Sequence, residues 1–196
     1  MTPKQEERIR TKIKRIKAEL AADKKRWGGY HDDSRGLRYL PTSLYILLGD
    51  YSGGLRFTKW FYKNFPDDSG FPDFLFECTI ILFKTNKLKD AQKKAFETFC
   101  SNNNLFEKFF GRPIHPVDNS TYTMMGVPSN CENLVYSSEQ EKLSVFSNWL
   151  TKYLASDKFL RLSTKFMELN LRLSKEKEIK KRGSLIRQAR DLEDEA

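Results

Sequence analysis

An internal repeat constrains the fold of this chain more than any other feature of its sequence. The stretch 49–66 begins Gly-Asp-Tyr and continues with small residues, and a related pattern returns later in the chain. In the second copy residues 86–88, Asn-Lys-Leu, take the place of 49–51, and Ala91 takes the place of Gly54. A repeat of this length is typical of stacked helical hairpins. Such hairpins usually present a surface to a partner, so the repeat favours binding over catalysis.

Amphipathic patterns on both sides of the repeat predict further helices. Residues 2–5, Thr-Pro-Lys-Gln, match a capping box with proline at the first helical position. Apolar residues then recur every three or four positions from Ile9 to Leu20, and again from Phe159 to Leu173. The 196 residues are enough for one core, so we predict a single all-α domain. Its predicted parts are a basic amphipathic helix (1–29), hairpins (35–110), an irregular loop (111–136), C-terminal helices (137–182) and a charged tail (183–196).

The repeat region resembles the tetratricopeptide repeat family over about residues 35–102. The positions that carry the resemblance are Tyr45, Gly49, Tyr51, Gly54 and Pro66 in the first hairpin, and Leu75, Leu82, Leu88, Ala91 and Ala95 in the second. The resemblance implies a right-handed helical hairpin array with two recognisable hairpins, wrapped by the amphipathic N- and C-terminal helices. In that family the first helix of each hairpin lines a concave groove for a partner peptide. The groove residues implied here are Tyr39, Ser43, Ile46, Phe76, Ile80 and Phe83.

The composition of the third predicted helix indicates whether that groove is open or filled. This helix starts at Pro72 and runs to about Thr85. This helix is apolar nearly all round, so it needs burial on every side. An open groove of this composition would expose a large apolar surface to water. We therefore expect the chain's own helices to fill the groove, with the 159–173 stripe as the first candidate and the 9–20 stripe as the second. The alternative is a groove kept open for a partner helix.

The positive charge of the chain is concentrated at its two ends. Residues 1–38 carry 12 basic and 6 acidic side chains, residues 157–196 carry 11 and 8, and the formal net charge of the chain is +9. A polyanion would therefore bind at the ends, through contacts between cationic side chains and phosphates. The candidate polyanion face lies on the first helix and comprises Lys12, Lys14, Arg15, Lys17, Lys24, Lys25 and Arg26. The alternative is that these side chains only keep the helix soluble. Trp60, Tyr62 and Phe110 are the aromatic residues that would stack bases if they are exposed.

The sequence offers no recognisable catalytic or cofactor site. His31 and His115 are its two histidines, and His31-Asp32-Asp33 lacks a further ligand at a spacing typical of metal sites. No phosphate-binding glycine loop and no GxSxG nucleophile motif is present. We therefore predict no catalytic residues, no metal and no cofactor.

These patterns lead to a functional expectation of binding without catalysis. The first choice is a protein–protein interaction module built on the tetratricopeptide-like helices. The alternative is a nucleic-acid-associated protein that uses the basic N- and C-terminal helices, and the second alternative is a homo-oligomeric structural protein that associates through the 9–27 stripe. The charged N-terminus, three cysteines without a CxxC pair and the lack of a long apolar stretch favour a cytoplasmic protein that does not enter membranes.

Overall fold

The computed structural model describes residues 1–114, 131 and 134–196, and this part of the chain contains helices but no β-strands. The prediction of an all-α fold is confirmed. Of the predicted irregular loop, residues 115–130, 132 and 133 lie outside the described part. The helices are α1 (Pro3–Arg26), α2 (Leu40–Leu48), α3 (Tyr51–Asn64), α4 (Pro72–Lys84), α5 (Leu88–Ser101), α6 (Asn104–Phe109), α7 (Ser144–Leu154), α8 (Asp157–Lys175) and α9 (Ile179–Glu195). Short 3-10 helices precede α2 (Leu37–Tyr39) and α7 (Glu141–Leu143).

Helix α1 begins and ends where the sequence predicts. The Thr2 hydroxyl accepts a hydrogen bond from the Gln5 backbone N–H, and the Gln5 side chain accepts one from the Thr2 N–H, which completes the capping box. The helix stops before Gly28 and Gly29, which both have positive φ angles (62° and 104°). The apolar stripe of α1 is buried against α2 and α3, since Ile13 clusters with side chains of both helices. Trp27, at the end of the 9–27 stripe, is 53% exposed, and self-association through this stripe stays a prediction.

The two hairpins of the repeat are closed by the same turn. Gly49 ends α2 with a φ of 70°, and Asn86 follows α4 with a φ of 58°. In the first turn the Asp50 N–H donates to the Tyr45 carbonyl at 3.0 Å, and in the second the Lys87 N–H donates to the Leu82 carbonyl at 2.9 Å. This hydrogen bond closes the helix end around a left-handed residue, a position for which glycine and asparagine are suited. The internal repeat of the sequence thus corresponds to a repeated turn.

Small residues let the helices of the hairpins approach closely. A Cβ atom added to Gly54 would lie 2.9 Å from Ile81 Cδ1 and 3.4 Å from the Cβ of Tyr45, so α3 lies directly against both α2 and α4. In the second hairpin Ala91 and Ala95 of α5 are completely buried. Close approach at Gly54 and Ala91 is what the repeat pattern predicts. The right-handed tetratricopeptide-like arrangement of the hairpins stays a prediction.

Helix α4 forms the centre of the molecule. Its residues from Phe74 to Ile81 are buried without interruption, which confirms that this helix needs burial on all sides. Helices α2, α3, α5 and α7 contact it directly. Helix α8 packs against α5 and α7, and α9 packs mainly against α8. The C-terminal helices therefore form an outer layer.

The C-terminal segment differs from the sequence prediction. We predicted helices over 137–182 and a charged tail over 183–196, but α9 covers Ile179–Glu195. Leu185 and Leu192 are buried and belong to the main core cluster, in which Ala189 is half-buried. The apolar positions of α9 are sparse because the helix packs on α8 and, to a smaller extent, on α5, and so the charged residues dominate the sequence pattern. Gly183 lies inside the helix rather than at its end.

Candidate functional site: a basic cleft at the end of the first helix

The predicted groove is filled at its centre, but not by the helices that we expected. Phe76 is completely buried, and its ring lies 5.1 Å from that of Phe109 and 5.7 Å from that of Phe146. Phe83 contacts Phe146 and Trp149 at 5.5 and 4.9 Å. Helices α6 and α7 therefore cover this face of α4, because their aromatic rings contact Phe76 and Phe83. The 159–173 stripe instead places Phe159 and Phe166 against Phe96 and Phe99 of α5, and the 9–20 stripe packs on α2.

The other implied groove residues do not share one surface. Ile80 is fully buried with Phe76, whereas Tyr39 belongs to a separate cluster, where its hydroxyl donates to Asp68 Oδ2 at 2.7 Å. Ser43 and Ile46 line a cavity of about 570 Å³ between α2 and the segment 135–143. The six residues therefore lie in three places. Phe76, Ile80 and Phe83 belong to the core, the Tyr39 hydroxyl is bound by Asp68, and Ser43 and Ile46 line an open cavity.

The basic residues of α1 are also divided. Successive residues of an α-helix are rotated by about 100°, which places Arg10, Lys14 and Lys17 on one flank of α1 together with Lys24 and Lys25. This flank contains no acidic residue from position 10 onward. Lys12, Arg15 and Arg26 lie on the opposite flank with Glu19, which pairs with Arg15 at 3.5 Å and with Arg35 at 2.9 Å. The candidate polyanion face is thus two surfaces, of which one carries uncompensated positive charge.

The acid-free flank of α1 leads into a cleft, which we call the basic cleft. The cleft consists of two adjoining cavities, and the smaller one, between α1 and α3, measures about 500 Å³ and is called the main cavity below. The lining residues are Lys17, Ala21, Lys24, Lys25, Gly29, His31, Trp60 and Asn64. A second cavity of about 770 Å³ shares Lys24, Gly29, His31 and Asn64 with the first and extends to Arg38 and Lys63, with Asp67 and Asp68 at its far side. Positive charge and aromatic surface therefore meet in one concave site.

Hydrogen bonds between α1 and α3 fix the walls of the basic cleft. The Lys24 ammonium donates to Asn64 Oδ1 at 2.6 Å, and the Asn64 amide donates to the carbonyl oxygen of Trp60 at 2.8 Å. On the other side of α1, Asp23 Oδ2 accepts from the backbone N–H groups of Asp32 and Asp33 at 3.0 and 3.3 Å. These bonds hold the loop after α1 against the helix.

His31 is the least expected residue of the site. Its side chain is only 3% exposed, and its ring lies 4.7 Å from that of Phe65 and edge-on to Trp60 at 5.8 Å. Nδ1 lies 3.5 Å from Asp23 Oδ2, and neither ring nitrogen has a hydrogen-bond partner. Buried polar atoms are normally paired, so the two nitrogens of His31 stand out among the polar groups that line the cleft.

Arg38 supports the loop that carries His31. Its guanidinium pairs with Asp33 at 3.1 Å and with Asp68 at 2.7 Å, and it lies over the rings of Tyr39 and Phe65. Asp33 also accepts hydrogen bonds from the backbone N–H groups of Leu37 and Arg38, both at 2.9 Å. All these groups are satisfied by one another, and we assign them a structural role.

Glu77 is a second unusual titratable side chain, and it lies in the core. It is 7% exposed, accepts hydrogen bonds from the hydroxyls of Thr42 and Tyr136, and has no cationic partner among the described residues. Burial raises the pKa of Glu77 to about 8, although the hydrogen bonds act in the opposite direction. Its hydrogen bonds link α4 to α2 and to the segment before α7, so we assign Glu77 a structural role.

The sequence indicated only part of the basic cleft. Lys17, Lys24 and Lys25 were among the predicted residues, and Trp60 was singled out as a ring to check, but His31 and Asn64 were not predicted to bind a ligand. Two glycines immediately before Tyr30 and His31 were the available signal, because they allow the chain to turn back on α1. Among the described residues, no group of three or more His, Cys, Asp or Glu is placed to hold a metal ion.

Comparisons with other proteins add no further assignment. No known protein family, curated protein or solved structure matches this chain. The resemblance to tetratricopeptide repeats therefore rests on the sequence pattern alone. Within the described part of the chain, every helix is too short or too polar to cross a bilayer.

Proposed function

We propose that the protein is a non-enzymatic nucleic-acid-binding protein that holds a single strand along the acid-free flank of α1 and in the basic cleft. The observation that carries this proposal is the convergence of Lys17, Lys24 and Lys25 with Trp60 on one cavity that has no acidic lining residue. Cationic side chains contact the phosphates of a strand, and aromatic rings stack with its bases. Both contact types are present within one concave surface.

The packing of α1 supports this assignment. Because Ile13, Ile16 and Leu20 are buried, the helix is held in one orientation and cannot turn its lysines away from the cleft. From Arg10 to Lys25 the flank extends about 22 Å, at roughly 1.5 Å per residue. This length is sufficient for several successive phosphates, so the flank can guide a strand into the cleft.

A binding titration with matched charge variants tests the proposal. The test variant replaces Lys17, Lys24 and Lys25 by alanine, and the control replaces Lys12, Arg15 and Arg26, which removes the same charge from the opposite flank. Fluorescence anisotropy with labelled single-stranded DNA and RNA at two salt concentrations measures the affinity. We expect the test variant to lose affinity at least about tenfold, and its salt dependence to fall by about 2 in log–log slope, since each phosphate contact contributes about 0.7.

The control variant distinguishes a defined site from general electrostatic attraction. We expect it to lose less than about threefold in affinity, because its charges are partly compensated by Glu19. Equal losses in both variants would mean that net charge alone attracts the strand. No binding by the unmodified protein at low salt would eliminate the proposal.

A second candidate function, binding of another protein, is favoured by the cavity beside α2. Leu47 is 52% exposed and Val135 is 71% exposed at the rim of this cavity of about 570 Å³. An exposed apolar rim around a cavity is typical of protein interaction sites. Recovery of one specific protein from the native host by the unmodified chain, but not by Leu47→Asp, would support this function. Leu160→Asp on the exposed face of α8 is the control, and equal recovery by all three proteins would argue against it.

A further inference from the structure

We propose that the basic cleft is a subsite for one nucleotide with a phosphate monoester, either free or at the end of a strand, and that His31 and Trp60 bind its base while lysines bind its phosphate. This inference rests on the proposed function and specifies the ligand of the same site. It assigns different parts of the nucleotide to different walls of the cleft, so each wall can be tested separately.

The size of the cleft fits a ligand of this class. Its main cavity of about 500 Å³ lies within the range of roughly 300–1,000 Å³ that is typical of small-molecule sites. One wall comes from α1 and is cationic, and the other comes from α3 and is aromatic. A ligand with a charged end and a flat apolar part matches this division.

The cationic wall favours a monoester over a diester. Lys17, Lys24 and Lys25 lie within little more than two turns of α1, and all three line the same cavity. A phosphate monoester carries about 1.5 to 2 negative charges near neutral pH, whereas the diester inside a strand carries about one. No carboxylate lines this cavity to offset the lysines. The terminal phosphate therefore gains more from this wall than an internal phosphate does.

The aromatic wall provides both stacking and hydrogen bonds for a base. Trp60 stacks on Phe57 at 5.3 Å, which fixes its indole ring as a platform. His31 lines both cavities with its ring between Trp60 and Phe65, and both of its nitrogens lack partners. In any protonation state at least one imidazole nitrogen carries a hydrogen and can donate to a base acceptor. Because both nitrogens have almost no exposed surface, the ring must turn towards the cavity to donate to a base.

Calorimetric titrations with small ligands test the assignment directly. The probes are adenosine 5′-monophosphate, uridine 5′-monophosphate, adenosine, inorganic phosphate and O-phosphotyrosine. We expect each nucleotide to bind at least about tenfold more tightly than adenosine or phosphate alone, because the two walls act together. We also expect a strand of about ten nucleotides with a terminal phosphate to bind about 3- to 10-fold more tightly than the same strand with terminal hydroxyls.

Single substitutions assign the two walls. His31→Phe keeps an aromatic ring between Trp60 and Phe65 but removes both nitrogens, and we expect it to weaken nucleotide binding about 5- to 20-fold while phosphate binding stays unchanged. We expect Lys24→Gln to weaken the binding of both the nucleotide and inorganic phosphate. Unchanged nucleotide affinity in His31→Phe, in a variant that melts like the unmodified protein, would show that the ring only fills space and would overturn its role.

The outcomes separate this inference from the proposed function. A strand that binds equally well with and without a terminal phosphate, together with no nucleotide binding, overturns the inference and leaves strand binding intact. Nucleotide binding without strand binding supports the inference and eliminates the proposed function. Equal affinity for O-phosphotyrosine and the nucleotides overturns the nucleotide assignment and favours a phosphorylated peptide.

Discussion

The core around α4 and the basic cleft each bury one unusual titratable side chain, Glu77 and His31, and these two side chains differ in how their polar atoms are paired. In the core, Glu77 is surrounded by the hydroxyls of Thr42 and Tyr136. In the cleft, the His31 side chain is 3% exposed, and neither of its nitrogens has a hydrogen-bond partner. The lysines around it likewise have no carboxylate in the main cavity.

The pairing of Glu77 is consistent with a role in stability, whereas the unpaired nitrogens of His31 support the ligand-binding role that we propose for it. A buried polar atom without a partner costs roughly 1–3 kcal/mol relative to its hydrated state. The core avoids this cost by pairing Glu77, whereas the cleft retains it at His31. A ligand that pairs with His31 would recover part of that free energy, which is why we place function in the cleft and stability in the core.

The largest effect is expected when the core loses its central ring. Phe76→Ala removes a completely buried side chain that contacts Phe109 and Phe146, and the surrounding helices cannot close the space fully. We expect the free energy of unfolding to fall by about 3–5 kcal/mol in urea or thermal denaturation.

The matched control for that substitution is Phe71→Ala. Phe71 is also aromatic and precedes α4, but it is exposed, so we expect a loss below about 1 kcal/mol. Nucleic-acid affinity of the folded Phe76→Ala fraction should stay within about twofold, because the cleft lies on other helices. Similar losses in both variants would show that the region around α4 is not the tightly packed core described above.

The central core was largely predictable from the sequence, because its physical basis is local. The apolar run of α4 requires burial, whichever parts of the chain pack against it. Gly49 and Asn86 determine the hairpin turns through their own backbone conformations. Which helices cover α4 was not predictable. The stripes of α1, α7 and α8 have similar periodicity, and only the contacts in the folded chain assign α7 to Phe76 and Phe83.

The basic cleft was predictable only as a source of charge. Sequence alone shows that Lys17, Lys24 and Lys25 are basic, but their convergence with Trp60 depends on how α1 lies against α3. The unpaired state of His31 depends on the same packing, because the loop after α1 brings the ring between Trp60 and Phe65. Interactions between distant segments therefore limited the prediction of the site more than that of the fold.

The second largest effect concerns the pH dependence of the core. Since the folded state raises the pKa of Glu77 from 4.5 to about 8, the stabilising protonated form is fully present below pH 4.5, and its contribution is lost as the pH rises to about 8. Glu77→Gln resembles the protonated acid and does not ionise. We expect the variant to gain stability relative to the unmodified protein between pH 5 and pH 9, on the order of a few kcal/mol in total.

Denaturation curves of both proteins across this pH range measure the difference between their free energies of unfolding. The contributions of the other titrating groups are the same in both proteins and cancel in this difference. At pH 5 the two proteins should differ by less than about 1 kcal/mol, because the amide keeps the size of the carboxyl group. A difference that is constant across the range would mean that Glu77 has an ordinary pKa, and the core would then contain a buried charge.

A smaller effect is expected from adding a methyl group where helices touch. Gly54→Ala places a Cβ 2.9 Å from Ile81 Cδ1, and Ile81 is completely buried, so we expect a loss of about 1–3 kcal/mol. Gly183→Ala in α9 is the control, since nothing lies within 4 Å of the added atom. It should gain about 0.5–1 kcal/mol from better helix propensity. Stabilisation by both substitutions would show that α3 does not pack tightly against α4.

The smallest change in stability is expected at the cleft. His31→Phe removes two buried nitrogens that have no partners in the protein and keeps the ring contacts with Trp60 and Phe65, so its free energy of unfolding should stay within about 1 kcal/mol. His31→Ala is the reference, because loss of the whole ring should cost about 2–4 kcal/mol. If His31→Phe lost as much as His31→Ala, the imidazole would be paired in solution, with Asp23 at 3.5 Å as the nearest partner. The cleft would then resemble the core around Glu77, and the unpaired nitrogens would no longer distinguish the two regions.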